Sequence, residues 1–246
     1  MINDDHDGRD DDAKFAALFE GEQSRVLSGF REPPEDLSKI AETKLDNARI
    51  QKPFETPKRD RGNRCLPPGQ GRATDWPVLD LGDKPVIAPE DWALSVAGLV
   101  EQPLRWNWQT LMAQPQTELS TDIHCVTAWS RFGNLWKGVS ARHLLSVIKP
   151  KTQARFLVFH GYDGYTTNVP LARFDADDVM LAHHWQGEAI SREHGGPVRV
   201  VIPSLYFWKS IKWLHHVAVL EHDVKGYWET RGYHNDGDPW KQQRYE

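Results

Sequence analysis

Cysteine and long hydrophobic runs are scarce in this sequence of 246 residues, and each absence excludes a class of protein. The two cysteines, Cys65 and Cys125, lie far apart and form no Cys-x-x-Cys pair, so they define neither a disulfide framework nor a zinc ribbon. No stretch approaches the roughly 18 to 20 apolar residues that a membrane-spanning helix needs. We therefore expect no membrane span.

The net charge and the first residues limit which partners and which cellular location we expect for the protein. A net charge of −5 argues against non-specific binding to a phosphate backbone, because proteins that do so carry a marked excess of Lys and Arg. Residues 1–5 lack the basic start and the apolar run of a secretion signal. We expect a cytoplasmic protein that binds no nucleic acid.

The short motifs of several common enzyme classes are missing. The sequence has no G-x-x-x-x-G-K-[ST] phosphate loop, no G-x-G-x-x-G, no G-x-S-x-G and no H-E-x-x-H. These absences count against kinases, dinucleotide enzymes and the common hydrolases.

Charged residues are concentrated in the first part of the chain. They make up 28 of the first 72 residues but 37 of the remaining 174, and every Trp and Tyr lies after residue 72. Residues 1–65 are predicted to be a charged extension, partly helical or disordered, that cannot bury a core of its own. Its apolar spacing predicts two short helices, at residues 15–26 and 37–48. Residues 66–246 are predicted to form the folded domain.

Short apolar or alternating runs, bounded by Gly, Pro and Asp, predict strands in that domain. They cover residues 92–96, 155–160, 197–202 and 217–220. Helical patterns lie between them at residues 140–148 and 175–182, the second with Asp175 as its N-cap. The predicted fold class is α+β, with mixed sheets and short helices.

Cys125 ends a stripe of alternate residues, Leu119, Thr121 and Ile123, that share one face of a strand. A lone cysteine in this position is most often a small buried hydrophobe. The other interpretations are a nucleophile or a soft metal ligand. The spacing alone leaves these alternatives open.

A second group of candidate residues combines glycines, cations and aromatic side chains. Residues 194–199 (HGGPVR) precede a segment that contains Lys209 and Lys212 among tryptophans. Glycine lets the backbone approach a ligand closely, and the cations could donate to a phosphate. The alternative is that both lysines lie on a solvated face while the tryptophans pack in the core.

Eleven histidines raise the question of a zinc site. The doublets His183-His184 and His215-His216 are the obvious sources of ligands. Neighbours on a strand point to opposite faces, and neighbours on a helix lie about 100° apart. Each doublet therefore supplies at most one ligand comfortably, and a histidine-zinc hydrolase is disfavoured.

Six blocks of sequence, taken in order, resemble one known family. The blocks are residues 124–130 (HCVTAWS), 136–139 (WKGV), 161–168 (GYDGYTTN), 194–199 (HGGPVR), 208–213 (WKSIKW) and 226–240 (GYWETRGYHNDGDPW). Together they are similar to the catalytic domain of the sulfite-oxidase-like molybdopterin oxidoreductases, from about Cys65 to the C-terminus. Six ordered blocks are far more specific than any one of them.

The resemblance implies a sulfite-oxidase-type molybdopterin-binding fold, a molybdenum-molybdopterin cofactor and two-electron oxygen-atom transfer on a small or peptidyl substrate. It makes Cys125 the thiolate ligand of the molybdenum. Arg131 and Tyr165 are expected to face the substrate, and the alternative is a surface arginine and a packed tyrosine. A weaker cofactor contact is expected near residues 76–78. The cofactor-binding positions that the resemblance implies are His160, His194, Arg199, Ser210, Ile211 and Lys212.

The sequence departs from the true sulfite oxidases. Residues 126–131 follow the cysteine in place of a Gly-Asn-Arg-Arg run and leave Arg131 as the single arginine, so sulfite is not a safe choice of substrate. The sequence stops at Glu246 without the family's C-terminal sandwich domain, and it carries no haem module. We therefore expect electrons to pass to a separate partner, a haem protein or similar.

A protein of a different class is the alternative. It is a non-catalytic, aromatic-rich binding module that takes peptide or glycan through its tryptophans and holds no cofactor. Metal analysis separates the three classes, because the oxidoreductase contains molybdenum, the hydrolase zinc and the binding module neither.

Overall fold

The computed structural model describes residues 57–60, 62, 64–82 and 84–246, and these residues all belong to one compact unit. The two helices predicted at residues 15–26 and 37–48 lie outside the described residues. Among the described residues, none of the helices has the length and apolarity needed to cross a bilayer.

Short strands and three short α-helices build the described part of the chain. The strands are β1 Lys58–Arg59, β2 Cys65–Leu66, β3 Gly71–Arg72, β4 Ala93–Gly98, β5 Leu104–Asn107, β6 Thr117–His124, β7 Trp129–Ser140, β8 Phe156–Gly161, β9 Thr166–Pro170, β10 Met180–Trp185, β11 Glu188–Ala189, β12 Arg199–Val201 and β13 Leu214–Leu220. The α-helices are α1 Trp108–Met112, α2 Ala141–Ile148 and α3 Leu171–Phe174.

Two sheets carry the fold. The five-stranded sheet has the order β5-β4-β13-β8-β9, in which β4 and β13 run parallel and the other pairs antiparallel. The six-stranded sheet follows β11-β10-β7-β3, with β12 paired to β10 and β6 paired to β7. In this sheet β3 runs parallel to β7, and the other pairs are antiparallel. Strands β1 and β2 form a separate two-stranded ribbon.

The two sheets share one hydrophobic core. Leu94 on β4 and Val219 on β13 come from the five-stranded sheet, while Leu181 on β10 and Val200 on β12 come from the six-stranded sheet. All four side chains are fully buried in the same cluster. Burial of apolar surface is the main favourable term in folding, so this cluster holds the two sheets together.

Helix α2 confirms the pattern predicted at residues 140–148. The Ser140 hydroxyl accepts a hydrogen bond from the backbone N–H of His143 at 3.2 Å and caps the first turn. Leu144 and Ile148 are buried at helical spacing. The four predicted strands are also confirmed, as β4, β8, β12 and β13, with ends within three residues of those expected.

The helix predicted at residues 175–182 is wrong. Helix α3 ends at Phe174, where Asp175 follows as its C-cap, and strand β10 begins at Met180. The apolar residues at the start of β10 are buried because β7 pairs with one edge of this strand and β12 with the other. A short apolar run fits a buried strand as well as a helix, and tertiary pairing selected the strand.

Candidate active site

A cleft of about 860 Å³, its open mouth included, lies where loops of the two sheets converge. The β6–β7 turn belongs to the six-stranded sheet and the β8–β9 turn to the five-stranded sheet. The cleft is lined by residues from segments 76–81, 125–129, 163–165, 194–199, 207–213 and 228–233.

Cys125 lies on the tight turn between β6 and β7. Its backbone N–H donates to the Trp129 carbonyl at 2.8 Å, and its carbonyl accepts from the N–H of Ala128 at 3.1 Å. Gln70 Nε2 donates to the same carbonyl at 3.0 Å. Cys125 is buried, lines the cleft, and has its Sγ 3.2 Å from the Thr127 hydroxyl oxygen. The turn thus holds a thiol on the cleft wall.

Arg199 is a fully buried cation that no carboxylate pairs with among the described residues. Nη1 donates to the His194 carbonyl and Nη2 to the Ser210 carbonyl, each at 2.7 Å. The guanidinium carbon lies 4.2 Å from the centroid of the Phe207 ring. Burial lowers the pKa of Arg199 to about 9, which leaves it protonated at neutral pH. An uncompensated buried charge favours an anionic ligand beside it.

Lys212 extends this positive wall. Its Nζ donates to the Glu193 carbonyl at 2.6 Å and lies 3.9 Å from a carboxylate oxygen of Asp80. Burial, and next the charge of Arg199, lower the pKa of Lys212 to about 8. Burial raises the pKa of Asp163, another lining residue, to about 6. Lys212 is therefore a partly desolvated cation whose closest carboxylate is at the limit of an ion pair.

His194 and Trp129 bring unused hydrogen-bonding groups to the cleft. The His194 ring stacks on Trp76, with centroids 3.8 Å apart and planes at 8°. Its Nδ1 and the Nε1 of Trp129 are buried without a hydrogen-bond partner in the described part of the chain. Burial, and next the charge of Arg199, lower the pKa of His194 to about 4, so the ring is neutral at pH 7. A ligand in the cleft would satisfy both groups.

Residues 210–212 form the adjoining wall. The Ser210 hydroxyl accepts from the N–H of Ile202 at 2.9 Å, and the Ile211 carbonyl accepts from the N–H of Val200 at 2.9 Å. The backbone N–H groups of Ile211 and Lys212 donate to no described residue. Gly195 has φ +97°, and a Cβ there would lie 2.6 Å from the Lys212 Cβ, so only glycine permits this approach.

Tyr165 lines the cleft, whereas two other predicted residues do not. The Tyr165 hydroxyl donates to the Trp208 carbonyl at 2.8 Å. Arg131, on β7, lies over the Trp185 ring at 4.6 Å from its centroid and donates to Asn134 Oδ1. Its guanidinium is thus used within the protein.

His160 is also not among the residues that line the cleft. It is on β8, and its ring packs against that of His216 on β13, with centroids 5.2 Å apart. The structure therefore brings together Cys125 and Tyr165 with five of the six predicted cofactor positions, and it leaves out Arg131 and His160. The five are His194, Arg199, Ser210, Ile211 and Lys212.

The alternative that Lys209 and Lys212 share a solvated face is wrong. Lys209 and Glu229 are fully buried, with Nζ 2.6 Å from Oε1, and Lys209 also donates to the Asn168 carbonyl at 2.8 Å. Lys209 is not among the residues that line the cleft, whereas Lys212 is. The two lysines, three residues apart, thus have different surroundings.

Sequence reasoning missed several lining or supporting residues. Asp163 lines the cleft inside the 161–168 block, and Trp228 and Tyr233 line it inside the 226–240 block. Gln70 lies just before β3 and anchors the Cys125 carbonyl. The six family-like blocks were the signal that could have found Asp163, Trp228 and Tyr233. Each block as a whole resembles a segment of the family's site, so every residue within it was a candidate. Asp80 lies outside the blocks and gave no such signal.

The donor set fits an organic, anionic cofactor that carries its own metal. No group of three or more His, Cys, Asp or Glu residues suited to a metal ion occurs in the described ranges. One thiolate cannot hold a metal ion alone, so a metal at Cys125 has to bring its other ligands with it. The positive wall at Arg199 and Lys212 suits the phosphate of such a group. A histidine-zinc site finds no support in this part of the chain.

A comparison with solved structures confirms the fold class. The crystal structure of the sulfane dehydrogenase SoxCD from Paracoccus pantotrophus matches with a TM-score of 0.53 and 24% sequence identity, over 57% of this chain and 41% of that one. The predicted α+β fold, with mixed sheets and short helices of the sulfite-oxidase-type molybdopterin-binding kind, is therefore confirmed. The fold is thus that of a sulfite-oxidase-type molybdopterin-binding domain.

Sequence comparisons then define the family. Residues 81–228 match the family described as "Oxidoreductase molybdopterin binding domain". The uncharacterized oxidoreductase YuiH of Bacillus subtilis (strain 168) is 43% identical over 183 residues, which is 73% of this chain and 91% of that protein. The chain belongs to the oxidoreductase molybdopterin-binding domain family, which confirms the resemblance seen in the six blocks.

Two more distant relatives are larger than the matched region. The NADH nitrate reductase of Lotus japonicus is 28% identical over 63% of this chain and 21% of its own length. The putative protein-methionine-sulfoxide reductase subunit YedZ1 of Azospira oryzae is 29% identical over 57% of this chain and 53% of its own length. The chain thus spans about a fifth of the first and about half of the second.

Proposed function

We propose that the protein is a molybdenum-cofactor-dependent oxidoreductase of the sulfite-oxidase type that transfers an oxygen atom in a two-electron reaction. The observation that carries the proposal is the position of Cys125. Its buried thiol lies on the same cleft as a wall of cations that no strong carboxylate contact neutralises. A soft thiolate and an anion site in the same cleft form the donor set that a metal-bearing, phosphorylated pterin needs.

Different lining residues of the cleft would contact different parts of the cofactor. Cys125 would supply the thiolate ligand of the molybdenum, because a bound metal ion keeps a thiol deprotonated. Arg199 and Lys212 would neutralise the phosphate, with the backbone N–H groups of Ile211 and Lys212 as donors. His194 would present its unpartnered Nδ1 to the pterin. Ser210 orders this wall by accepting the Ile202 N–H.

The bound cofactor would supply the two-electron redox couple. Overall, an oxidised substrate XO, two protons and two electrons are interconverted with X and water. The protein would orient X in the cleft beside Cys125, and Tyr165, with its hydroxyl held by the Trp208 carbonyl, would form part of the substrate wall. Buried aromatic side chains exclude water from that wall.

Electrons would pass to or from a separate partner protein. The relatives support this part of the proposal, since their names include a nitrate reductase that uses NADH and a subunit of a methionine-sulfoxide reductase. A small or peptidyl substrate is consistent with an open cleft. We propose a haem protein or similar one-electron carrier as the partner.

The two cysteines provide the test. We expect Cys125→Ser to keep part of its pterin through Arg199 and Lys212, to change its visible and electron-paramagnetic spectra, and to lose oxygen-atom transfer by about 100-fold or more. The reason is that serine replaces a soft, deprotonated ligand with a hard hydroxyl that coordinates weakly. Molybdenum analysis, spectra and turnover are measured on protein made in a molybdenum-replete host that makes the cofactor.

Cys65→Ser is the matched control. Cys65 is exposed on β2 and does not line the cleft, so the same substitution should alter neither spectrum nor rate. A Cys125→Ser protein with the wild-type spectrum would remove the metal ligand from the proposal. Wild-type protein that contains no molybdenum under these conditions would favour the cofactor-free binding module.

A further inference from the structure

The proposed function gives no role to the Thr127 hydroxyl, although this group contacts the sulfur of Cys125. Its oxygen lies 3.2 Å from Cys125 Sγ, and Thr127 is a lining residue of the cleft. In the free thiol either of the two atoms could be the donor. A thiolate has no proton to give, so once Cys125 is deprotonated the hydroxyl donates and the sulfur accepts.

The turn that carries both residues is closed by its own backbone. The N–H of Cys125 donates to the Trp129 carbonyl at 2.8 Å, and the N–H of Ala128 donates to the Cys125 carbonyl at 3.1 Å. Ala128 has φ +70°, in the left-handed region that a residue with a Cβ rarely adopts. Such a conformation persists only where the surrounding structure holds it. The backbone between Cys125 and Thr127 is therefore fixed.

Donors from outside the turn hold three of its carbonyls. Two of these donors lie just before and at the start of β3, and the third lies near the C-terminus. The pairs are Gln70 Nε2 with the Cys125 carbonyl at 3.0 Å, the Gly71 N–H with the Ala128 carbonyl at 2.9 Å, and Arg244 Nη1 with the Val126 carbonyl. The β-branched side chain of Thr127 has a restricted χ1 as well. The contact between the hydroxyl and the sulfur is thus preorganised.

A hydrogen bond to a ligating thiolate changes the redox potential of the metal that the thiolate binds. Each electron that enters a bound cofactor adds negative charge, and the sulfur carries part of that charge. A donor at the sulfur stabilises the more negative, reduced state, so the midpoint potential rises. Thr127 would act in this way through Cys125, without itself touching the metal.

We propose that Thr127 is a positioning residue that sets the redox potential of the bound cofactor, through a hydrogen bond from its hydroxyl to the Cys125 thiolate. This inference rests on the proposed function. The hydroxyl keeps its proton throughout, so no covalent bond forms or breaks at Thr127. The electrons enter and leave the cofactor and not this side chain.

Two substitutions separate the hydroxyl of Thr127 from the shape of its side chain. Thr127→Val replaces the hydroxyl with a methyl group of similar size, whereas Thr127→Ser keeps the hydroxyl and removes the methyl group. Thr127 is exposed, so neither change should disturb the core, and we expect both proteins to contain as much molybdenum as the wild type. Thr127→Ala also lacks the hydroxyl and is the second variant, in case valine prevents loading.

The main readout is the midpoint potential of the loaded full-length proteins, measured by redox titration followed by electron-paramagnetic resonance. We expect Thr127→Val and Thr127→Ala to shift the one-electron equilibrium toward the oxidised state by about tenfold, which is about 59 mV toward more negative potential. Thr127→Ser should stay close to the wild type. The visible charge-transfer band from sulfur to metal should move to longer wavelength in Thr127→Val, because the electrons of the sulfur are less stabilised.

Thr152→Val is the matched control. Thr152 is exposed, its hydroxyl donates to Gln153 Oε1 at 3.3 Å, and it does not line the cleft. The same substitution at this position should change neither the potential nor the spectrum. A shift in Thr152→Val as large as that in Thr127→Val would overturn the inference.

Two results at Thr127 would also overturn it. One is an equal potential in the wild type, Thr127→Val and Thr127→Ala. The other is a Thr127→Ser protein that shifts as far as Thr127→Val, because the methyl group and not the hydroxyl would then matter. Wild-type protein without molybdenum would end the proposed function, whereas loaded protein whose potential does not depend on the Thr127 hydroxyl would end only this inference.

Discussion

Arg199 and Lys212 are both cations of the cleft, but the protein holds them in different ways. Arg199 spans two carbonyls on separate segments, those of His194 and Ser210, and its planar group stacks on Phe207. Lys212 has a single backbone acceptor, Glu193, and its burial opposes its charge. Arg199 therefore stabilises the protein even without cofactor, while Lys212 serves mainly to bind a ligand.

Substitution of the two cations should separate these effects. We expect Arg199→Lys to lower the free energy of unfolding of cofactor-free protein by about 2 to 3 kcal/mol, because an ammonium cannot span both carbonyls. Lys212→Met should leave this free energy unchanged or raise it, since a buried charge is removed. Both should reduce pterin content. Urea unfolding and pterin analysis are the measurements, and equal stability losses for the two variants would contradict this division.

His160 provides a test by pH. Burial, and next the charge of His215, lower its pKa from the ordinary 6.5 to about 4. A folded pKa below the unfolded one stabilises the protein fully above about pH 6.5, and this contribution is lost as the pH falls toward 4. Between pH 7 and pH 5, we expect the free energy of unfolding of the wild type to fall by about 1 to 2 kcal/mol more than that of His160→Gln. Urea unfolding at both pH values measures this difference. Equal losses of unfolding free energy in the wild type and in His160→Gln would show that the folded protein does not hold His160 neutral.

At the scale of elements, the segment between β12 and β13 depends on a buried ion pair. Glu229 Oε1 accepts from Lys209 Nζ at 2.6 Å, from Trp208 Nε1 at 2.9 Å and from the Thr167 hydroxyl at 2.9 Å. The pair thus ties this segment to β9 and to the 3-10 turn Glu229–Arg231. Three donors at one oxygen hold Trp208, a lining residue of the cleft, in place.

Removal of one charge of this pair should be costly. We expect Glu229→Gln to lower the free energy of unfolding by about 3 to 5 kcal/mol, because Lys209 is left buried without a counter-charge. Lys225→Met is the control, since Lys225 pairs with Glu246 at 2.8 Å while both side chains are nearly half exposed. Such an exposed pair contributes about 1 kcal/mol or less. Urea unfolding compares them, and similar losses would contradict the importance of burial.

At the scale of the whole molecule, the cleft joins both sheets, so its occupant should affect global stability. Its described lining comes from loops of each sheet and includes two cations, Arg199 and Lys212. A ligand that binds only the folded state stabilises that state by mass action, by about 4 kcal/mol at 1,000 times its Kd. We expect cofactor-loaded protein to melt well above cofactor-free protein. Calorimetry of both forms checks this, and equal melting temperatures would count against a buried anion site.

The N-terminal extension should be dispensable for loading. Strand β1 pairs with β2, and Asp60 accepts the Arg64 N–H at 2.8 Å, so a cut is best placed before residue 57. We expect deletion of residues 1–56 to leave molybdenum content unchanged, because every described residue that lines the cleft comes after the deleted segment. Metal analysis measures this. A truncated protein that is folded but empty would give the extension a part in cofactor binding.

Much of the fold and of the site followed from the sequence by itself. Strand alternation and helix capping are local, so they predicted β4, β8, β12, β13 and α2. The ordered blocks placed Cys125, His194, Arg199 and Lys212 in one family site, and the fold brings them to one cleft. Motifs of this kind are short and contiguous, which is why they can be read without a structure.

Only the tertiary structure decided what depends on contacts between distant residues. Lys209 is buried because Glu229, 20 positions later, pairs with it, and Arg131 lies over the Trp185 ring and is not among the lining residues of the cleft. Strand β10 replaced a predicted helix because β7 and β12 pair with its two edges. Burial and pairing are properties of the packed chain, and local spacing does not determine them.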